Sequence, residues 1–210
     1  MKIAVLAANG RTGRAFVEQA LKSGHSVAAG VYKTNNLLQH PNLTVKTCDA
    51  TKQSDVEDLL QDCDVVVSFI GHVKGSPAHV QTDAMRVLVA AMNKRGLTRI
   101  VSLTGTGVRF AGDKITVMDR ILNLSISVID SARIKDGKDH VAFLQQSNLD
   151  WTIVRVLKLQ NTAPKAFSLQ AHGPTKLYVS RTEVAVACLQ VLEQGSFIRE
   201  APIISAPKYA

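Results

Sequence analysis

The stretch LAANGRTGR, Leu6 to Arg14, joins an apolar run to a segment with helical spacing. Its two glycines, Gly10 and Gly13, lie three residues apart, and Ala7 precedes them where a full phosphate-binding fingerprint has another glycine. A turn of this kind between a buried strand and a helix directs backbone N–H groups at phosphate oxygens from the start of the helix. The stretch therefore predicts a phosphate-binding turn; the alternative is an ordinary strand-to-helix turn.

Apolar runs before and after this turn predict a parallel β-sheet. Five of them are apolar throughout, without alternation, which is typical of strands that are buried on both faces. A weaker alternation over residues 43–47 predicts a sixth strand, and APIISA, residues 201–206, predicts a seventh. The five apolar runs are KIAVLAA, SVAAGVY, DVVVSFIG, RIVSLTG and WTIVRV.

The segments between these strands have the apolar spacing of amphipathic helices. The helix after the glycine turn is expected to end at Gly24, and a second helix to begin at Ser54, with Glu57 completing a capping box. The alternation of strands and helices predicts one doubly wound α/β domain with helices on both faces of the sheet. Residues from about 158 to 180 depart from it, and we expect them to form a lobe over the carboxyl edge. Three further helices are expected over residues 78–96, 137–148 and 181–195.

The charge of the chain suits an anionic partner. The net charge is +8 and the isoelectric point is near 9.6, which favours phosphorylated ligands, nucleic acids or acidic surfaces. The basic residues are scattered, however, and only 5% of the residues are aromatic. We therefore do not expect nucleic acid as the main partner.

Cysteine and histidine usage argues against disulfides and against a metal site. Cys48, Cys63 and Cys188 are widely separated and form no C-x-x-C pair, and the six histidines show no H-x-x-x-H spacing. The apolar start of the chain ends at Asn9 and Gly10, which is too short for a signal peptide or a membrane span. We expect a soluble cytoplasmic protein that binds no metal.

Several motifs, in this order along the chain, carry a family resemblance. From residue 1 to about 155, and more loosely as far as YVSRTEVAVACLQVL, the chain resembles the atypical short-chain dehydrogenase/reductase proteins, in the NmrA-like and flavin/biliverdin-reductase branch. The resemblance implies a Rossmann-type fold that binds NAD(P)(H). The motifs are KIAVLAANGRTGRAFVEQALKSGHSV, CDATKQSDVEDLLQDCDVVVSFIG, AAMNKRGLTRIVSLTG and QQSNLDWTIVR.

The family's glycine motif transfers to the opening turn. Gly10 and Gly13 match two of its glycines, and the resemblance implies that Arg11 and Thr12 lie in the pyrophosphate loop. Ala7 replaces the first glycine, and a methyl group is tolerated there if the local φ is negative. The backbone conformation at Ala7 therefore decides how well this departure is tolerated.

The residues after the second strand bear on the choice between NADP and NAD. The family often has an arginine there for the 2′-phosphate of NADP, and this chain has Tyr32 followed by Lys33. No acidic residue is available to pair with a free ribose 2′-hydroxyl. Lys33, helped by Arg11 or Arg14, is suited to a 2′-phosphate, so NADP(H) is favoured over NAD(H). The alternative makes Lys33 a solvated loop lysine.

Residues at later strand ends match the family's other cofactor contacts. Asp49 and Ala50, after the third strand, match its adenine contact, and the alternative for Asp49 is a cap at the strand end. The resemblance places further residues near the ribose and the nicotinamide. These are Phe69, Ile70, Gly71 and Thr104.

The usual catalytic pair of short-chain dehydrogenases is missing. None of the three tyrosines, Tyr32, Tyr178 and Tyr209, has a lysine four residues later, and the sequence where the pair would lie is SARIKDGKDHVAFL. Substitutes are a hydroxyl of Thr104 or Thr106, a side chain early in the next helix, or no protein acid at all. The two helix candidates are Lys138 and His140, for which the alternatives are a solvated lysine and a surface histidine. His72 and His79 lie in a loop after the fourth strand, and only that position supports a role for them.

Two functions remain open at this point. The first is an oxidoreductase that passes hydride from NADPH to a small planar acceptor of the flavin or quinone type. The second is a non-catalytic, NmrA-like redox sensor, which binds the dinucleotide and acts through a protein partner. The missing tyrosine and lysine favour the sensor, whereas the compact length and the basic residues favour the reductase.

Overall fold

In the computed structural model, the described residues are 1–207, apart from the side chains of residues 126–129. Tyr209, one of the tyrosines considered above, lies outside them. Among the described residues, the strands are β1 (Lys2–Leu6), β2 (Ser26–Val31), β3 (Leu43–Thr47), β4 (Val65–Ser68), β5 (Arg99–Gly105), β6 (Asp150–Val156), β7 (Lys158–Gln160), β8 (Ser168–Gln170), β9 (Tyr178–Ser180) and β10 (Ile203–Ser205). The helices are α1 (Arg11–Lys22), α2 (Gln53–Leu59), α3 (Val80–Arg95), α4 (Val117–Ile129), α5 (Ser131–Gln145) and α6 (Arg181–Glu193).

The main sheet has the doubly wound order that the sequence predicts. Its strands run β3-β2-β1-β4-β5-β6-β10-β8, and every pair is parallel except β10 with β8. All seven predicted strands are present. The order reverses between β1 and β4, whose ends Leu6 and Ser68 are in register. Ligands of open α/β sheets bind at such a reversal, outside the carboxyl ends of the strands.

Helices cover both faces of the sheet, and each face has its own apolar core. Helices α1 and α6 pack together on one face, and α2, α3 and α5 contribute to the core on the other. Phe16 of α1 is fully buried and lies 5.4 Å from the ring of Phe69, which follows β4. Burial of one such side chain contributes about 1.5–3 kcal/mol. The apolar, non-alternating strands are therefore a consequence of this two-sided packing.

Several helix boundaries differ from the sequence prediction. Helix α2 begins at Gln53, and its N-cap Lys52 makes no side-chain capping bond, so the capping box at Ser54 was wrong. The reason is that Asp55 accepts hydrogen bonds from Ser54 Oγ and from the Asp49 backbone instead. Helix α5 begins at Ser131, earlier than predicted, because the Asp130 side chain caps it by accepting from the Arg133 N–H. Helix α4 was not predicted at all.

Residues 158–180 contribute to two different sheets. Strands β7 and β9 form a separate parallel pair, whereas β8 joins the edge of the main sheet beside β10. Strand β7 follows β6 almost directly at the carboxyl edge. Its first residues, Lys158 and Leu159, therefore reach the region where a ligand is expected.

The glycine turn has no room for a side chain at Gly13. A Cβ atom there would lie 2.3 Å from the Ala7 carbonyl oxygen and 2.7 Å from that of Ala8. Ala7 has a φ of +54°, so the condition of a negative φ is not met. The chain must reverse here for the Gly10 N–H to reach the Ala7 carbonyl at 3.0 Å, and the left-handed backbone at Ala7 makes that reversal.

A buried histidine lies in the core beneath β5. The His140 side chain of α5 is 2% exposed, and its Nε2 atom lies 3.0 Å from Ser102 Oγ. Burial lowers the pKa of His140 to about 4, and the nearby Gly137 carbonyl and Asp136 charge oppose that shift only in part. His140 is therefore neutral at physiological pH.

We expect Gly13→Ala to lower the free energy of unfolding by about 1–3 kcal/mol, because the added methyl group collides with backbone atoms. Thermal unfolding followed by circular dichroism measures this as a midpoint lower by roughly 3–10 °C. Ala7→Gly is the matched control in the same turn. It relieves about 1 kcal/mol of left-handed strain but adds a similar entropy to the unfolded chain, so its midpoint stays near that of wild type. An unchanged midpoint for Gly13→Ala would contradict the steric account.

His140 also predicts a pH dependence of stability. Its folded pKa of about 4 lies below the unfolded value of about 6.5, so the unfolded chain binds the extra proton between these pH values. Its contribution, on the order of 3 kcal/mol, is present above pH 6.5 and is lost as the pH falls towards 4. The free energy of unfolding, measured by urea denaturation between pH 7 and 4, should fall less steeply with decreasing pH for His140→Gln than for wild type. The exposed His79, changed to Gln, should leave the slope unaltered; equal slopes for all three proteins would refute the prediction.

Candidate functional site

A cleft of about 510 Å³ opens at the carboxyl edge of the sheet, across the reversal between β1 and β4. Its lining comes from the glycine turn, from the segments after β4, β5 and β6, and from α4, α5 and the start of α6. These elements are far apart in sequence. The doubly wound topology brings them together because it gathers the ends of parallel strands at one edge.

The glycine turn forms one wall of the cleft, as the sequence predicts. Gly10, Arg11, Thr12 and Gly13 all line it. Gly10 is the N-cap of α1, which has no side-chain capping bond and no acidic residue in its first turn. The partial positive charge at this helix start is therefore not compensated by the protein itself, and an anion is stabilised there.

The residues expected near the ribose and the nicotinamide also line the cleft. Phe69, Ile70 and Gly71 follow β4, and Thr104 lies near the end of β5 with 7% of its surface exposed. Helix α5 passes close to Thr104, since a methyl group added at Gly137 would lie 3.4 Å from Thr104 Oγ1. The helix that would carry a catalytic tyrosine thus presents a glycine to this part of the cleft.

Tyr32 and Lys33 lie after β2, beside the cleft rather than in its lining. Tyr32 is 58% exposed, and the Lys33 ammonium lies 4.9 Å from the centre of that ring. The loop that follows is tied to the glycine turn through Asn9, whose amide donates to the Thr34 carbonyl at 2.8 Å and accepts from the Asn36 N–H at 3.1 Å. These bonds hold the loop after β2 next to the pyrophosphate turn.

Asp49 and Ala50 follow β3 at the same edge and do not line the cleft. The Asp49 carboxylate accepts hydrogen bonds from the backbone and hydroxyl of Thr51, at 3.0 and 2.7 Å. The Thr51 hydroxyl is the main cause of the lowered pKa of Asp49. Asp49 therefore caps the turn after the strand, as the alternative interpretation has it, and a contact of Asp49 or Ala50 with adenine stays a prediction.

The cleft is cationic. Arg11, Arg133, Lys158 and Arg181 line it, and none of the described residues in its lining is Asp or Glu. Burial lowers the pKa of Arg181, and the charge of Arg11 lowers it further, so these two guanidinium groups are close enough to repel each other. An anion between them would relieve that repulsion.

The remaining catalytic candidates from the sequence lie elsewhere. His140 is not part of the cleft lining, because its ring is buried beneath β5, so the structure gives it no route to a substrate. Thr106 is fully buried, and its hydroxyl accepts from the Asn123 amide at 3.2 Å. Lys138 is exposed and also outside the lining. Of Thr104, Thr106, Lys138 and His140, Thr104 alone lines the cleft.

Several cleft residues were not predicted from the sequence, and His72 was predicted only from its position in the loop after β4. His72 lines the cleft with its side chain 9% exposed, and its Nε2 atom lies 2.8 Å from Asp136 Oδ2. His79 is exposed and makes no side-chain capping bond at the start of α3. No local motif marks the other polar residues, because each comes from a different element. They are Gln81, Asn123, Arg133, Lys158 and Arg181.

Other kinds of site find no support in the described part of the chain. Residues 1–207 contain no group of His, Cys, Asp and Glu side chains arranged to hold a metal ion. The three cysteines are buried and carry free thiols. None of the helices described above combines the length and the apolar character that crossing a membrane requires.

Comparison with known proteins gives the family. The sequence pattern of the NAD(P)H-binding family matches residues 7–195. The chain is 23% identical to the protein YwnB of Bacillus subtilis (strain 168) over 202 residues, which are 92% of each chain.

Two solved structures share the fold. A short-chain dehydrogenase/reductase from Veillonella parvula DSM 2008, in complex with NADP, has a TM-score of 0.82 at 18% identity and covers 99% of this chain and 95% of its own. A candidate NADH-flavin reductase from Streptococcus pneumoniae TIGR4 has a TM-score of 0.79 at 23% identity over 98% of both chains. With the glycine turn, the strand order and the match to most of the chain in agreement, the protein belongs to the NAD(P)H-binding family and shares the fold of these two structures.

Proposed function

We propose that the protein reduces a small planar acceptor, such as a flavin or a quinone, with NADPH. The observation that carries this proposal is a cationic cleft beside the glycine turn, whose described lining holds no carboxylate and includes several apolar side chains. The candidate NADH-flavin reductase with the same fold supports the proposal. The apolar walls would hold the ring system of the acceptor. They include Val108, Ile134, Leu157 and Leu159.

The residues present fit a nicotinamide dinucleotide. The turn at Gly10 to Gly13 brings backbone N–H groups and Arg11 to the pyrophosphate, with Arg181 opposite Arg11. Asp49 and Ala50 would contact the adenine, and residues 69–71 the ribose. When bound, the reduced nicotinamide supplies the hydride.

The protein's own contribution is orientation and exclusion of water. The Thr104 hydroxyl at the end of β5 is placed to donate a hydrogen bond in the cleft, and Gly137 of α5 lies close to it without a side chain. Holding a donor and an acceptor in contact converts a bimolecular step into an effectively unimolecular one, which can supply several kcal/mol of the barrier.

Binding and turnover test this function. We expect NADPH to bind with a change in its fluorescence, and the nicotinamide absorbance to fall when FMN, a quinone or biliverdin is added. Arg181→Gln should weaken NADPH binding by about tenfold or more, because a charge-assisted hydrogen bond contributes about 1.5–3 kcal/mol. Arg86→Gln is the matched control, since Arg86 is exposed on α3 and pairs with Asp83.

The outcomes separate the two functions. If neither NADPH nor NADH binds, the cofactor assignment is wrong. If NADPH binds and no acceptor is reduced, the reductase is refuted and the NmrA-like sensor, acting through a protein partner, takes its place.

We further propose that Lys33 selects NADPH over NADH. Lys33 has a φ of +65° and directly precedes the loop that Asn9 ties to the glycine turn, and this position beside the turn supports a role in binding the 2′-phosphate. Lys33→Ala should weaken NADPH binding about tenfold and leave NADH binding nearly unchanged, because only NADPH carries the 2′-phosphate. Lys22→Ala, at the exposed far end of α1, should change neither affinity. Equal losses for the two cofactors in Lys33→Ala would show that Lys33 is a solvated loop lysine.

A further inference from the structure

Asp136 is a fully buried carboxylate with every acceptor position filled. Its Oδ2 atom accepts from the Gln81 N–H and faces His72 Nε2, both at 2.8 Å. Its Oδ1 atom accepts from the N–H and the hydroxyl of Thr82, at 3.0 and 2.6 Å. A carboxylate offers about four such positions. Asp136 therefore joins the loop after β4, the first turn of α3 and the middle of α5.

These contacts fix the charge of Asp136 and the orientation of the His72 ring. Burial alone would raise the pKa of Asp136, but the hydrogen bonds from Thr82, Gln81 and His72 together lower it. The carboxylate is thus ionised at neutral pH and can only accept, so the proton at His72 Nε2 must point to it. Nδ1 is then the ring nitrogen that can exchange a proton, and within residues 1–207 no hydrogen bond to it is found.

The pair lies at the end of the cleft where the acceptor is proposed to bind. Gln81, which shares Asp136 Oδ2 with His72, also donates from its side chain to the Ile70 carbonyl at 3.0 Å. Gly137, next to Asp136, approaches both Thr104 and Gln81. His72 and Thr104 therefore border the same part of the cleft.

The charged neighbours of His72 come from its own loop and from α5. Asp136 faces Nε2, and the Arg133 guanidinium donates to the His72 carbonyl at 3.2 Å. Lys74 lies two residues further along the loop and is exposed. From α3 the contacts to this cluster come from Gln81 and Thr82, which are neutral. The carboxylate is thus the group that bears directly on the imidazole ring.

We propose that His72 is the catalytic acid of the proposed reduction and that Asp136 is its positioning residue. The acceptor takes up the hydride that NADPH supplies, which leaves NADP⁺, and the proton that completes the reduction passes from His72 Nδ1 to the acceptor. Solvent then returns a proton to Nδ1. This inference rests on the proposed reductase function.

A purely structural role for the pair would not require His72 to reach the cleft. Asp136 caps the start of α3 through Gln81 and Thr82, and those bonds involve no histidine. His72 adds a titratable ring that is held by a buried charge and borders the cleft. An imidazole with one nitrogen fixed by a carboxylate is the arrangement that general acid–base catalysis uses elsewhere.

Kinetics of variants provide the first test. His72→Gln should lower kcat about 100-fold, the usual contribution of a general acid, while the Kd for NADPH and the KM for the acceptor change little. Wild-type kcat should fall towards high pH, as in any reaction that requires a protonated acid, and His72→Gln should lack this step. Added imidazole should restore part of the activity of His72→Ala. His79→Gln, the same exchange at the exposed end of the same loop, should behave as wild type.

The second test needs no turnover. In nitrogen-15 spectra of histidine-labelled apoprotein, the His72 signals, assigned by their loss in His72→Gln, should report the tautomer with the proton on Nε2. Asp136→Asn should produce a mixture of tautomers and, if it folds, a lower kcat with a shifted pH profile.

The outcomes distinguish this proposal from the function on which it rests. If the wild type reduces no acceptor, the reductase function fails and the role of His72 falls with it. If the wild type is active and His72→Gln is equally active over the pH range, only the role of His72 is refuted. A neutral His72 ring with its single proton on Nδ1 rather than Nε2 in the wild-type spectra would also overturn it.

Discussion

The close approach of Gly13 to the Ala7 and Ala8 carbonyls is the constraint on which the rest of the site depends. Because no Cβ fits there, α1 can begin directly at the end of β1, with its N–H groups turned to the edge where the sheet order reverses. Helix α6 packs along α1, so the same contact also sets Arg181 opposite Arg11. A steric requirement at one backbone position thus determines where the positive charge of the cleft is concentrated.

The loops near this turn take no part in the sheet, and hydrogen bonds from buried or bridging polar side chains hold them in place. Asn9 ties the loop after β2 to the turn, and Asp136 ties the loop after β4 to α3 and α5. Asp113 does the same after β5, since its carboxylate binds both ends of the Arg155 guanidinium at 2.5 and 2.8 Å, and Arg155 is fully buried in β6. Each loop at the carboxyl edge has a polar anchor, so the cleft is preorganised by hydrogen bonds rather than by apolar packing alone.

Sequence patterns predict the parts of the molecule that depend on local periodicity. The two-sided burial of the strands and the glycine turn follow from such patterns, and both are present. The φ of Ala7 could not be predicted, because the tight reversal there overrides the steric preference of alanine. The pairing of His72 with Asp136 joins residues 64 positions apart. Helix α4 was missed although Val117, Ile121 and Leu124 recur at helical spacing; these apolar side chains are exposed rather than part of the core. The cations of the cleft come from α1, α5, β7 and α6, so only the fold assembles them.

Helix α5 lacks the catalytic tyrosine, but it still contributes residues to the cleft and to the cluster around His72. In the part of the cleft where that helix would present a phenol, it places Gly137 close to Thr104 and presents no side chain. The neighbouring residue, Asp136, points its carboxylate to the loop after β4 and orients a histidine there. In the proposed reaction the helix that ordinarily carries the acid carries its positioning group, and the acid lies on the loop after β4. The proton for the proposed reduction then comes from a different element than the one that orients its donor.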